Sequence, residues 1–370
     1  MNMKMKTSTS RTTCTFILRA CFSIMCICQL ANVVVSKCSR NMVIFNFGDS
    51  NSDTGGYPAA HGIRFGFPDG RSFFHQPSDR LCDGRLVLDF LCESLNMSYL
   101  SPYLDSVRQN FKNGVNYAIG GAATLPKNAL FTLSTQVGQH IRFLQLQSKG
   151  LEDLIEKEDL KNAVYMIDIG QNDLAGAFTY LSQASQVIQK IPSFISEIQD
   201  AIWAIYKHGG KNFWVHNTGP LGCLPQKIAT RNASNLNDVD DYGCLKSMNK
   251  AAEAFNNQLR ALCEQLRLQM KDATIVYVDM YSIKYDLIAN ARAYGIQNPL
   301  MVCCGYGGLP YNYNSNTTCR QSGYTLCKEG SAYISWDGVH YTEFANAIVA
   351  SKILSTNYST PPLDLHHFCT

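Results

Sequence analysis

Residues 43–56 read Val43-Ile44-Phe45-Asn46-Phe47-Gly48-Asp49-Ser50-Asn51-Ser52-Asp53-Thr54-Gly55-Gly56. Five residues, all but one β-branched or aromatic, run straight into a Gly-Asp-Ser turn. A run this short and apolar predicts a strand buried on both faces, because a helix needs ten or more residues. Residues 115–119, 164–169, 213–215 and 274–278 repeat the pattern, each with Gly, Asp or Asn close behind. Between them, residues 86–95, 137–146, 194–206 and 247–269 show helical spacing. In the last of these Leu259, Leu262, Leu266 and Met270 recur at three- and four-residue steps, which marks a core-facing stripe. Strands alternating with helices predict an α/β fold with a parallel sheet covered on both faces. No repeat, low-complexity tract or Pro/Gly/Ser linker divides the chain, so a single domain over residues 37–370 is expected.

The chain has 370 residues, of which 46% are hydrophobic and 16% charged, enough for a large core without metals. A net charge of +3, with no run of five like charges, excludes nucleic acid as an obvious partner. Lys4, Lys6 and Arg11 precede an apolar stretch from about residue 16 to residue 35, interrupted by Arg19 and Gln29. Val34 and Ser36 stand at the small-residue positions of a cleavage site, so residues 1–36 read as a secretory signal peptide. The charge at Arg19 argues against a stable membrane span there. Export also fits sequons at Asn96, Asn232, Asn316 and Asn357, read as glycosylation sites. Eleven of the fifteen cysteines follow Ser36. In an oxidising compartment most should pair, leaving at least one thiol over. Cys303, Cys304, Cys319 and Cys327 cluster without Cys-x-x-Cys knuckles, which favours disulfides over zinc.

Four segments carry candidate chemistry. Ser50 follows the first predicted strand, where it would open a helix and present its hydroxyl and its unpaired N–H at the sheet edge. Gly120-Gly121-Ala122 follows the second, where glycine permits close backbone approach. Asn172, in Gly170-Gln171-Asn172-Asp173, follows the third, and its amide can donate to an oxyanion. Asp337-Gly338-Val339-His340 places a carboxylate where the turn can fold back onto the imidazole Nδ1–H. Each segment also has a plainer reading: a helix cap, a tight turn, a turn asparagine, a surface histidine. Their joint occurrence favours a serine hydrolase. No serine sits in Gly-x-Ser-x-Gly, so the usual nucleophile elbow is absent. Ser50 and His340 are 290 residues apart, so acting together requires one closed unit.

In this order the motifs resemble the SGNH hydrolases, and in detail the plant GDSL esterase/lipases, most of all their early-nodulin-like group. Asn217-Thr218-Gly219-Pro220-Leu221-Gly222-Cys223-Leu224-Pro225 and Cys303-Cys304-Gly305 add to the likeness, which spans about residues 43–355. Asn51 stands where the family name has Leu, and Gly56 where many plant members have Asn. The resemblance implies a three-layer α/β/α, flavodoxin-like fold with a mainly parallel five-stranded sheet. It implies Ser50 as nucleophile, His340 as base and Asp337 as the acid orienting it. The oxyanion donors it implies are the Ser50 N–H, a glycine N–H (Gly121 before Gly120) and Asn172. The expected activity is secreted carboxylic-ester hydrolysis through an acyl-enzyme, in the cell wall or apoplast, on a small-molecule, lipid or carbohydrate ester. No cofactor, metal or stable membrane anchor is expected. The alternatives are an acyltransferase on the same triad and a catalytically silent binding glycoprotein. Tyr57, Phe65, Phe67, Phe73 and Phe74 read either as loop core or as pocket lining.

Overall fold

The strands form where the apolar runs predict them, and their alternation builds two cores at once. A computed structural model describes residues 38, 40–107, 109–127, 129–149, 154–230 and 237–369. The predicted leader and the sequon at Asn232 lie outside them. Strands β1 (Ile44–Gly48), β2 (Gly114–Asn116), β3 (Val164–Asp168), β4 (Asn212–His216) and β5 (Thr274–Val278) pair in parallel in the order β2-β1-β3-β4-β5. The register aligns Gly48 with Asp168 and Asp168 with His216, so the carboxyl ends of β1, β3 and β4 form one edge.

Successive side chains point to opposite faces. Phe45, Phe47, Tyr165, Ile167, Phe213, Val215, Ile275 and Tyr277 form one core with helices α3 (Leu133–Ser148), α6 (Ala184–Lys207) and α8 (Lys246–Gln269). Ile44, Val164, Met166, Trp214, Val276 and Val278 form the other with α2 (Val87–Ser94), α9 (Met280–Ala289) and α10 (Glu343–Leu354). The layers are therefore α/β/α. Each apolar side chain so buried is worth about 1.5–3 kcal/mol over leaving it exposed. Short helices α1 (Gly56–His61), α4 (Lys157–Lys161), α5 (Gln171–Tyr180) and α7 (Pro225–Ala229) lie in the connections.

Several expectations need correction. The sheet has six strands, because β8 (Ser359–Thr360) adds antiparallel to β5. A separate two-stranded ribbon joins β6 (Cys304–Gly305) to β7 (Thr325–Leu326). The second strand ends at Asn116, not residue 119, although the N–H groups of Tyr117 and Ile119 still donate to the Asn46 and Gly48 carbonyls. Helix α6 begins ten residues before its predicted start and runs through Pro192.

Disulfides join Cys38 to Cys369, Cys223 to Cys244, Cys303 to Cys327 and Cys304 to Cys319. The Cys303/Cys304/Cys319/Cys327 cluster is thus disulfide-bonded. Cys82, Cys92 and Cys263 are free and buried. No described helix is long and apolar enough to cross a membrane. Asn96, Asn316 and Asn357 are exposed.

Candidate active site

The segment after β1 is held by amides from three directions. Gln136 of α3, fully buried, accepts from the Gly48 N–H at 2.9 Å and donates to the Gly48 carbonyl at 2.8 Å. Asn46 donates to Ser52 Oγ and to Asn116 Oδ1. Asn116 donates to the Ser52 carbonyl at 2.7 Å. Asp53 accepts from the N–H groups of Gly55, Gly56, Tyr57 and Gly120, the last at 2.7 Å. These bonds tie the loop to the turn after β2.

Ser50 does not open a helix. It sits in a turn closed by the Ser52 N–H donating to the Asp49 carbonyl at 3.2 Å, and α1 begins only at Gly56. The helix-cap reading fails with the helix-start reading, but the unpaired N–H remains. The N–H groups of Ser50 and Gly121 have no hydrogen-bond acceptor among the described residues. The Gly120 N–H, by contrast, is taken by Asp53. Gly121 has φ +80°, a conformation that favours glycine. Of the two glycines, Gly121 is the one whose N–H is without an acceptor among the described residues.

Asn172 lies in the first turn of α5. Its amide donates to the Ala122 carbonyl at 3.0 Å and to Asp49 Oδ2 at 3.3 Å. The preceding Gly170 has φ +120°, and a Cβ there would come within 2.4 Å of Phe255. Only glycine lets β3 turn into α5 at this point. Asp173 then accepts from the Thr124 N–H and hydroxyl and the Leu125 N–H, which fixes the Gly120–Gly121 turn against α5.

The Asp337–His340 turn folds back as its spacing predicts. Asp337 Oδ1 accepts the N–H groups of Val339 and His340, and Oδ2 accepts from His340 Nδ1 at 2.7 Å. That bond leaves Nε2 as the ring atom facing outward. Burial by itself would raise the Asp337 pKa, but the His340 imidazole and its N–H bonds, with Arg320 beyond, hold it well below the usual carboxylate range. No hydrogen bond joins Ser50 Oγ to His340 in this structure. Such contacts are commonly long before substrate binds.

Ser50, Gly120, Gly121, Asn172 and His340 line one cavity of about 440 Å³. Asp337 stands behind His340. The aromatic residues divide: Tyr57 and Phe65 line the cavity, while Phe73 and Phe74 pack on each other and on Tyr99, and Phe67 is exposed.

Two networks have no counterpart in the sequence reading. Behind Asp337, Arg320 Nη1 donates to Asp69 at 2.7 Å and its Nη2 lies 3.8 Å from Asp337. The Trp336 indole donates to Asp69 at 2.9 Å. Beneath Ser50 lie Asp49, Asp168, His216 and Lys284, all drawn from strand ends and α9. His216 Nδ1 is 3.6 Å from Asp168, and the Lys284 ammonium stacks on Tyr341. Burial, aided by the Asp168 charge, raises the Asp49 pKa to about 7. Burial lowers the Lys284 pKa against the pull of both carboxylates. Nothing local in sequence announces either network, since the partners lie in distant segments. No group of three metal-ligating side chains occurs among the described residues.

Residues 44–353 match a family model described as GDSL-like Lipase/Acylhydrolase. The chain is 54% identical to the GDSL esterase/lipase LIP-4 of Arabidopsis thaliana, covering 90% of this chain and 91% of that one. It is 41% identical to Alpha-L-fucosidase 3 of the same plant, with coverages of 84% and 89%. It is 38% identical to the GDSL esterase/lipase ACHE of Zea mays, with 88% of each covered. Among solved structures, the acetylxylan esterase Axe2 of Geobacillus stearothermophilus aligns at TM-score 0.37 and 13% identity, over 86% of this chain and 94% of that one.

Proposed function

The chain belongs to the plant GDSL esterase/lipase family and hydrolyses ester bonds, and from that premise we propose that it does so with Ser50 as nucleophile, His340 as base and Asp337 orienting His340. The observation that carries this reading is the single cavity shared by Ser50, Gly121, Asn172 and His340, with Asp337 bonded to the far side of the imidazole. Ser50 Oγ attacks the ester carbonyl carbon while His340 Nε2 takes its proton. The carbonyl oxygen becomes an oxyanion held by the N–H groups of Ser50 and Gly121 and by the Asn172 amide. Asn172 gives up its longer bond, to Asp49, and keeps the one to Ala122. Each such donor is worth roughly 100- to 1000-fold in rate. The tetrahedral intermediate collapses, the alcohol leaves with the proton from His340, and Ser50 carries the acyl group. Water, deprotonated by His340, repeats the sequence and frees the acid.

The name of one relative raises glycoside cleavage as a second reading. That chemistry uses two carboxyl groups facing the bond, roughly 5–9.5 Å apart. The cavity lining contains no Asp or Glu among the described residues, which favours the ester reading. We further propose that residues 1–36 are removed on export, that residues 37–370 act as one domain, and that Asn96, Asn232, Asn316 and Asn357 carry glycans. Four disulfides and three exposed sequons support export.

Turnover of a short-chain aryl ester by the Ser50→Ala variant tests the reading. A fall of roughly 10⁴-fold or more in kcat is expected when a triad member is lost. Activity like that of the natural protein would overturn it.

A further inference from the structure

The cavity carries an uneven charge. Its lining includes two cations, Lys227 and Arg320, and no carboxylate among the described residues. Arg320 has its own partners, Asp69 and Asp337, and its guanidinium lies over the Phe65 ring. Lys227 has none: no acidic group pairs with it and no side-chain hydrogen bond satisfies it among the described residues. The lysine is half-buried, and burial alone lowers its pKa. An ammonium held away from water without a counter-charge is costly, and a bound anion relieves that cost.

Both cations belong to segments tied to the histidine turn. Helix α7, which carries Lys227, is tied to the histidine turn by the Gln226 N–H donating to the Gly338 carbonyl at 3.1 Å. Arg320 approaches the same turn from behind, through Asp337. The oxyanion donors Gly121 and Asn172 come from the turns after β2 and β3 instead. His340 protonates the departing alcohol, so the alcohol portion of the ester occupies the His340 side.

We propose that the alcohol portion of the natural ester bears a carboxylate, as in a uronic acid or another hydroxy acid, and that Lys227 binds it with Arg320 as the neighbouring cation. This rests on the serine-esterase reading above, and the experiment separates the two. The probes are 4-acetoxybenzoate, whose leaving phenol is anionic, and its neutral methyl ester. A second pair, 4-nitrophenyl hemisuccinate and 4-nitrophenyl butyrate, puts the charge on the acyl side. For the first pair, the anionic-to-neutral ratio of kcat/KM should fall roughly tenfold in Lys227→Met, chiefly through KM, and be restored in Lys227→Arg. The ratio should also fall as salt rises. The acyl-side pair should show no such dependence on Lys227. An unchanged ratio in Lys227→Met, or an effect confined to the acyl-side pair, overturns the inference while leaving the esterase reading intact. Failure of the natural protein to turn over any of the four esters overturns the esterase reading itself.

Discussion

Asp49 shows how much a single residue next to Ser50 is asked to do. It binds the Asn51 N–H and amide on one oxygen and the Asn172 amide on the other. Its carboxyl group is fully buried beside Asp168, which pushes its pKa from 3.8 to about 7. Between those two values the unfolded chain has lost the Asp49 proton and the folded protein still holds it. The folded state therefore binds more protons there, and stability falls as pH rises through the window. Above about pH 7 the full cost remains, on the order of a few kcal/mol. Asp49→Asn removes the ionisation, so the Tm of the natural protein should drop more than that of the variant between pH 5 and pH 8. Parallel melting curves across that range would contradict the assignment.

At the scale of elements, the segment 303–327 acts on the site without lining it through most of its length. Two disulfides staple it, and it brings Arg320, next to Cys319, up to Asp69 and Asp337. Removing the Cys304–Cys319 bridge with paired serines should cost about 3 kcal/mol by chain entropy, given its separation of 15 residues. It should also lower kcat at temperatures where the protein stays folded, because Arg320 loses its hold behind Asp337. Full activity in a demonstrably folded variant would show that this segment does not support the histidine turn.

Elements of this kind mark the limit of what the amino-acid order reveals. Strands β1, β3 and β5 were legible because local apolar runs make them, and the Asp337–His340 bond because three residues and a glycine make it. Helix α6 reaches ten residues further back than its spacing predicts: Pro192 lies inside it, where a proline ordinarily breaks a helix, yet seven apolar positions buried along it keep it continuous. The two-residue strand β8 has no signal of its own and forms only because β5 offers an edge. The Arg320–Asp69–Trp336 contacts join residues more than 250 positions apart, so no local pattern encodes them. The Gly120–Gly121 doublet was ambiguous for the same reason: Asp53, 67 residues away, occupies one of the two N–H groups.

For the molecule as a whole, one bond ties the two ends of the described chain. Cys38 and Cys369 are 331 residues apart, and the Arg40 N–H donates to the Cys369 carbonyl beside them. Closing so long a loop limits the unfolded chain more than any other bridge here, and is worth about 6 kcal/mol in the chain-entropy limit. Cys38→Ala with Cys369→Ala should therefore lower Tm while leaving ester turnover at 25 °C in place, since neither residue approaches the cavity. Loss of turnover without loss of Tm would contradict this. The three remaining thiols are sealed in the cores. Burial raises the pKa of each, that of Cys263 to about 12, so the surplus thiols expected from the odd count are internal and inert.

All three scales converge on the hydroxyl of Ser50: the amide clamps hold its turn, the strand ends surround it with donors, and the folded chain brings His340 across 290 residues to its cavity. Labelling with a fluorophosphonate probe, followed by peptide mass spectrometry, tests that claim most directly. One adduct per molecule, on Ser50, is the predicted result. Ester turnover that persists with Ser50 unlabelled, or with the adduct on another serine, would contradict it.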